Sequence, residues 1–165
     1  MSAENRGRSR SRFSTTTSSS NRPLDFGVSV QGATFGHHPT VSILLCNYNH
    51  AKYLPDSLGS ICDQTLAPDE VIIVDDGSTD NSVEVIEGFL RRYQFLVLMR
   101  NDTNQGLMRS IRQALERASK NYVAWVSADD KLLPNFLARN MAILSRYPDA
   151  GVCFSRLAVL EEGTR

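Results

Sequence analysis

The chain has 165 residues, 41% apolar and 22% charged, the balance of one globular domain of ordinary size. Five of its 18 basic and two of its 18 acidic residues lie in the first 38, leaving 13 and 16 for a mildly acidic body, which argues against nucleic acid as the main partner. No run approaches the roughly 20 apolar residues of a membrane-spanning helix, and the polar N-terminus lacks the apolar core of a signal peptide.

Residues 1–38 are rich in Ser, Thr, Arg and Gly, with seven consecutive hydroxyl residues at 14–20. Such a stretch buries too little apolar surface to offset the entropy of ordering it, so a disordered arm is expected. Its arginines leave a transit peptide, or contact with nucleic acid or an anionic lipid surface and so peripheral membrane association, as minority readings. His37 and His38 read as loop residues.

From Thr40 the pattern changes. Val41-Ser42-Ile43-Leu44-Leu45-Cys46 reads as a first buried strand that ends in Asn47-Tyr48-Asn49-His50. A helix is expected over 54–64, with Pro55 in its first turn, where a missing N–H costs nothing. Val71-Ile72-Ile73-Val74 is the second strand, followed by Asp75-Asp76-Gly77-Ser78-Thr79-Asp80. Ser78 or Thr79 is expected to cap the next helix, whose inward face is Val83, Ile86, Phe89, Leu90 and Tyr93. Phe95 to Met99 is the third strand, and 101–106 a loop. A third helix then runs to about Ala118, with Leu107, Ile111, Leu115 and Ala118 inward and Arg109, Arg112, Glu116 and Arg117 exposed.

Tyr122-Val123-Ala124-Trp125-Val126 reads as a fourth strand, covered on both faces, that stops at the adjacent carboxylates Asp129 and Asp130. Pro134 starts a fourth helix with Phe136, Leu137, Met141 and Leu144 inward, and 151–160 is expected to be a fifth strand. Strands alternating with amphipathic helices imply βαβ units and a mainly parallel sheet with helices on both faces. The polar clusters at 47–49, 75–78, 104–106 and 129–130 should then converge on the carboxyl edge of that sheet, where α/β folds bind ligands. Cys46, Cys62 and Cys153 show no metal-type spacing and read as buried thiols in a reducing compartment, which points to the cytoplasm.

Two adjacent acids at a strand tip need a divalent cation, a sugar hydroxyl or water to offset their repulsion; the plainer reading is a solvated turn. The same two readings apply to Asp75 and Asp76, for which helix capping is the plain alternative.

Taken in order, Val41 to Asn49, Val74-Asp75-Asp76-Gly77-Ser78-Thr79-Asp80, Asn104-Gln105-Gly106-Leu107 and Ala128-Asp129-Asp130 resemble the motifs of family 2 glycosyltransferases. The likeness runs over residues 40–158. It implies a GT-A fold, a Rossmann-like three-layer α/β sandwich that is incomplete at its C-terminal side, with 39–165 as the nucleotide-sugar-binding domain. It also implies metal-dependent transfer of a sugar from a nucleotide diphosphate, a UDP-sugar above all, with inversion, to a carbohydrate or glycolipid acceptor of the cell-envelope polysaccharide kind.

By resemblance, Asp76 accepts from a ring N–H of the base, against which the Tyr48 ring stacks. Asn47 and Asn49 complete that loop. Gly106 lets the backbone approach the donor at a helix N-terminus, Asp129 accepts from ribose or sugar hydroxyls, and Asp130 holds Mn²⁺ or Mg²⁺. Cys46-Asn47 stands where the family often has Pro-Thr or Pro-Ser. No residue matches the family's general base: Asp149 reads as a turn residue, and Glu161 and Glu162 come too early. The chain is therefore expected to be the donor-binding part of an enzyme.

Three other readings stay open. A phosphoacceptor receiver domain would share the Asp75-Asp76 strand tip but needs a lysine at a late strand end, and Lys52, Lys120 and Lys131 are not so placed. A nucleotidyltransferase would need a basic Gly-rich loop after the first strand. A catalytically silent nucleotide-sugar-binding module fits the same motifs.

Overall fold

In a computed structural model of the chain, the structure describes residues 39–159. The expected arm at 1–38, with His37 and His38, lies outside them, as do Leu160, Glu161 and Glu162. Four strands and four helices alternate: β1 (Val41–Asn47), α1 (Leu54–Cys62), β2 (Glu70–Asp75), α2 (Ser82–Leu90), β3 (Leu96–Arg100), α3 (Leu107–Arg117), β4 (Tyr122–Ser127) and α4 (Phe136–Arg146). Each expected strand from the first to the fourth is present to within a residue or two. Pro55 sits in the first turn of α1, where its ring meets no obstacle.

All strand pairings are parallel, in the order β3-β2-β1-β4. The chain steps outward from β1 to β3 with α1 and α2 on one face, then returns to the other side of β1 through α3. Right-handed crossovers put a helix on the opposite face when the direction of travel reverses. The packing follows suit. Val41, Ile43, Leu45, Val71 and Ile73 pack with Leu54, Leu58 and Ile61 of α1, Ile86 of α2 and Leu137, Met141 and Leu144 of α4. Leu44, Cys46, Ile72 and Val74 point the other way, onto Ala114 of α3. The loops after β1 and β4 both lead to helices on the α1 face, so their polar residues gather at one carboxyl edge of the sheet.

Several expectations are corrected. β4 is not covered on both faces: Val123 is 44% and Trp125 53% exposed, because α3 lies over β1 and β2. On α3 the small residues Ser110 and Ala114 meet the sheet, while Leu107 and Leu115 are exposed. No strand forms within 151–159; Phe154 is 91% exposed, and the segment has no partner strand to satisfy its backbone. It is tethered instead through Asn140, whose Oδ1 accepts from the Cys153 thiol at 3.0 Å and the Ser155 hydroxyl at 3.1 Å. Neither Ser78 nor Thr79 caps α2, whose N-terminal flank is Asn81. Among the described residues no helix is long and apolar enough to cross a membrane.

Candidate active site at the carboxyl edge of the sheet

The loops after β1 and β2 are stitched into one unit. The Asn47 amide donates to Asp75 Oδ2 at 2.8 Å and to Ser78 Oγ at 3.0 Å, and Ser78 Oγ also accepts from the Asn49 N–H at 3.0 Å. Asp75 Oδ1 accepts from the Ser78 N–H at 3.1 Å, closing the turn. Asn49 is left-handed, with φ of 57°, a conformation Asn tolerates better than most side chains. That twist lets its Oδ1 accept from the backbone N–H groups of Thr79 at 2.8 Å and Asp80 at 3.3 Å. Asn47 and Asp75 are buried and serve this framework, whereas Tyr48 leaves its ring half-exposed beside it.

Asp76 is only 4% exposed, and loop 101–106 closes round it. Its Oδ1 accepts from Asn101 Nδ2 at 2.7 Å and the Gln105 N–H at 2.8 Å, and its Oδ2 from the Gly106 N–H at 2.8 Å. Burial by itself would raise this acid. The hydrogen bonds from Gln105, Asn101, Gly106 and Ser110 outweigh it and hold Asp76 below the usual carboxylate range. Cys46 lies beneath; burial first, and then the Asp76 charge, push its thiol up to about 11, so it is a protonated wall residue at neutral pH.

Two glycines make the closure possible. Gly77 has φ of 73°, and a Cβ there would stand 2.6 Å from the Thr103 carbonyl carbon, so the two loops approach this closely only without a side chain. Gly106, with φ of 90°, precedes α3, and the space where a Cβ would project is open.

Asp129 and Asp130 follow β4 on the far side of β1 from Asp76, two strand spacings or roughly 10 Å across the same edge. Both are exposed, and neither carboxylate has a hydrogen-bond or ion-pair partner among the described residues. Lys131 turns away, 3.5 Å from Asp56. The expected site residues Asn47, Tyr48, Asn49, Asp76, Gly106, Asp129 and Asp130 thus share one edge. Arg112 pairs with Glu116 at 2.8 Å on the solvent side of α3, the plain helix-face arrangement.

The sequence profile described as Glycosyl transferase family 2 matches residues 42–165. The chain belongs to that family. Among its relatives, an uncharacterized glycosyltransferase of Nostoc sp. is 33% identical over 68% of this chain and 35% of its own length. The putative glycosyltransferase EpsE of Bacillus subtilis is 30% identical over 75% of this chain and 45% of its own length. The chain thus spans less than half of each of these relatives.

Among solved structures, S. aureus TarS 1–349 in complex with UDP-GlcNAc matches with a TM-score of 0.62 at 28% identity, covering 66% of this chain and 32% of that one. The mannosyltransferase PcManGT of Pyrobaculum calidifontis, solved with GDP-Man and Mn²⁺, shares the fold with a TM-score of 0.60 at 24% identity, over 66% of this chain and 33% of its own. The GT-A fold follows from these likenesses, and the described residues form part of it.

Within this family 2 domain, sequence reasoning missed Asn101, Ser110 and Gln113. Asn101 and Gln113 exchange amide hydrogen bonds, Asn101 Nδ2 to Gln113 Oε1 at 3.2 Å and Gln113 Nε2 to Asn101 Oδ1 at 3.1 Å, and thereby fix Asp76. The available signal was an uncharged amide on the same helix face as Ser110 and Ala114, at the i+3 position from Ser110. That cue is weak without the loop it serves.

Proposed function

We propose that this chain forms the donor site of a glycosyltransferase that moves a sugar from a nucleotide diphosphate, a UDP-sugar above all, to an acceptor hydroxyl with inversion. The observation that carries the reading is that four separately coded polar loops share the carboxyl edge of the sheet, with Asp76 at the tip of β2 on one side of β1 and Asp129 and Asp130 at the tip of β4 on the other.

In this reading the Tyr48 ring stacks on the base, and Asp76 accepts from a ring N–H. Asn47 and Asn49 shape the pocket by joining its two loops. Gly106 leaves its surroundings open to the diphosphate, and Asp129 accepts from ribose or sugar hydroxyls. The residues present fit a hard divalent cation such as Mn²⁺ or Mg²⁺: two exposed oxygen-bearing side chains carry no competing partner. No cluster of three or more His, Cys, Asp or Glu forms among the described residues. Asp130, with Asp129 beside it, would hold the ion, the donor phosphates and water completing the shell. Such an ion offsets the charge that grows on the leaving diphosphate.

The acceptor, of the carbohydrate or glycolipid kind, and the general base are assigned to none of the described residues. A silent nucleotide-sugar-binding module is the second reading. It shares the donor site and differs in lacking transfer.

Calorimetry tests the donor site. UDP should bind at least tenfold tighter with Mn²⁺ than with chelator, and Asp130→Ala should abolish that difference. Asp76→Asn should weaken UDP binding whether or not Mn²⁺ is present. UDP binding indifferent to Mn²⁺ in the wild-type chain would overturn the reading.

A further inference from the structure

Ser57, Ser60 and Gln64 recur at spacings of three and four, which places them in one stripe along α1 and just past its end. The stripe faces inward: Ser57 and Gln64 are buried. Polar groups on a packed face are costly unless each finds a partner, and an apolar stripe would serve the core better. Besides bonds back to α1 itself, from Ser60 Oγ to the Ser57 carbonyl and from Gln64 Nε2 to the Ser60 carbonyl, the partners come from one segment. Ser57 Oγ donates to the Ser127 carbonyl at 3.3 Å, and Ser60 Oγ accepts from the Leu132 N–H at 2.9 Å. Gln64 Nε2 donates to the Leu133 carbonyl at 2.8 Å, while its Oε1 accepts from the Leu137 N–H at 3.0 Å. Thr65, next along the chain, donates its N–H to the Pro134 carbonyl at 2.9 Å.

The segment from the tip of β4 to the start of α4 has no regular structure of its own. It is pinned at Ser127 on one side of Asp129 and Asp130 and at Leu132, Leu133 and Pro134 on the other. The two carboxylates take no part in any of these bonds and project from a loop held at both ends. We propose that Ser57, Ser60 and Gln64 are positioning residues whose task is to fix the backbone under Asp129 and Asp130, so that these acids meet a divalent cation already placed. The inference rests on the reading of Asp130 as the metal-holding residue.

The experiment compares the full wild-type chain with Gln64→Ala, Ser60→Ala, Ser60→Thr and Asp130→Ala, each first shown to melt cooperatively. Two quantities are read: Mn²⁺ affinity in the presence of UDP, with UDP affinity in chelator as the internal reference, and amide hydrogen exchange over residues 129–133. Gln64→Ala should weaken Mn²⁺ about tenfold, the scale of losses seen when groups behind a metal ligand are removed. It should leave metal-free UDP binding unchanged and speed exchange over 129–133 but not in β1 or β2. Ser60→Ala, which removes one bond to this segment and one within α1, should do the same more weakly, and Ser60→Thr, which keeps the hydroxyl, should restore the wild-type values.

A folded Gln64→Ala or Ser60→Ala variant with wild-type exchange over 129–133 would overturn the proposal. So would equal losses of Mn²⁺ and metal-free UDP binding, the mark of a general structural role. If Asp130→Ala binds Mn²⁺ as well as wild type, the metal reading falls and the exchange data alone judge the clamp: faster exchange supports it, unchanged exchange overturns it.

Discussion

At the scale of single residues, Asp76 shows how much of its environment a charged side chain can organise. Three donors from loop 101–106 converge on a carboxylate that is almost wholly buried, so its charge is compensated by fixed dipoles in place of water. Its folded-state value lies below the ordinary one, so the unfolded chain binds the proton more readily. Asp76 therefore adds stability above roughly pH 4, and that contribution is lost as pH falls through the folded-state value. Asp76→Asn turns an amide donor toward one of these N–H groups and should cost about 1–3 kcal/mol at pH 7. The cost should shrink at pH 3, where the wild type has begun to lose the same contribution. Urea unfolding at the two pH values checks this, and an equal loss at both would contradict it. Glu70 is lowered in the same way, the hydrogen bonds from Ser42 and Ser119 outweighing its burial, so an acid-sensitive limb should remain in the variant.

The pairing of Asp75 and Asp76 was legible in the sequence as an unusual strand ending, but the division of labour between them was not. Both are buried at adjacent positions, and only the geometry shows that Asp75 closes its own turn while Asp76 gathers a distant loop. Sequence patterns register residue types at a spacing; they do not register which of two neighbours faces a segment some 30 residues away.

At the scale of elements, the apolar runs at 41–46 and 71–74 predicted β1 and β2 closely, because strands covered on both faces admit almost nothing but apolar residues. The run at 122–126 has the same composition, yet β4 keeps one face open, since composition does not tell a covered strand from one whose cover lies elsewhere. The expected strand at 151–160 failed for a related reason: a strand is a pairing, and an apolar run without a neighbour has no ladder to join. On α3, Leu107 and Leu115 outranked Ser110 and Ala114 by hydrophobicity, but small residues let a helix lie close to a sheet, and the larger ones were left outside.

The coverage by α3 yields a direct comparison on one sheet face. Val74 is fully buried under α3, and Val123 points to the same side of β4 in the open. Val→Thr is the same change of shape at both. Val74→Thr should cost about 1–3 kcal/mol, the penalty for a buried hydroxyl without a partner, whereas Val123→Thr should fall within about 0.5 kcal/mol of wild type. Equal costs in denaturant titrations would show that the two sites share one environment.

At the scale of the whole molecule, the strand order β3-β2-β1-β4 is what converts dispersed motifs into a site. Parallel strands send every β-to-α loop to the same edge, and the place of β1 between β2 and β4 sets the loops that carry Asp76 and Asp129 on either side of the loop after β1. This part of the architecture was legible early, because alternation of strand and helix with polar strand endings admits few topologies. The clamp from α1 and the amide pair behind Asp76 were not, because polar residues inside amphipathic helices look like ordinary solvated positions until their partners are known.

The central claim is that one crevice at this edge takes a nucleotide diphosphate and a divalent cation together. Paramagnetic broadening of the amide spectrum by Mn²⁺, recorded with UDP present, tests it most directly. The account requires signals to vanish around Tyr48, Gly77 and Ala128 to Lys131, while Thr40, Asp69 and Lys120, at the amino-terminal edge of the sheet, stay sharp. Broadening centred on that opposite edge, or spread evenly over the surface, would contradict it.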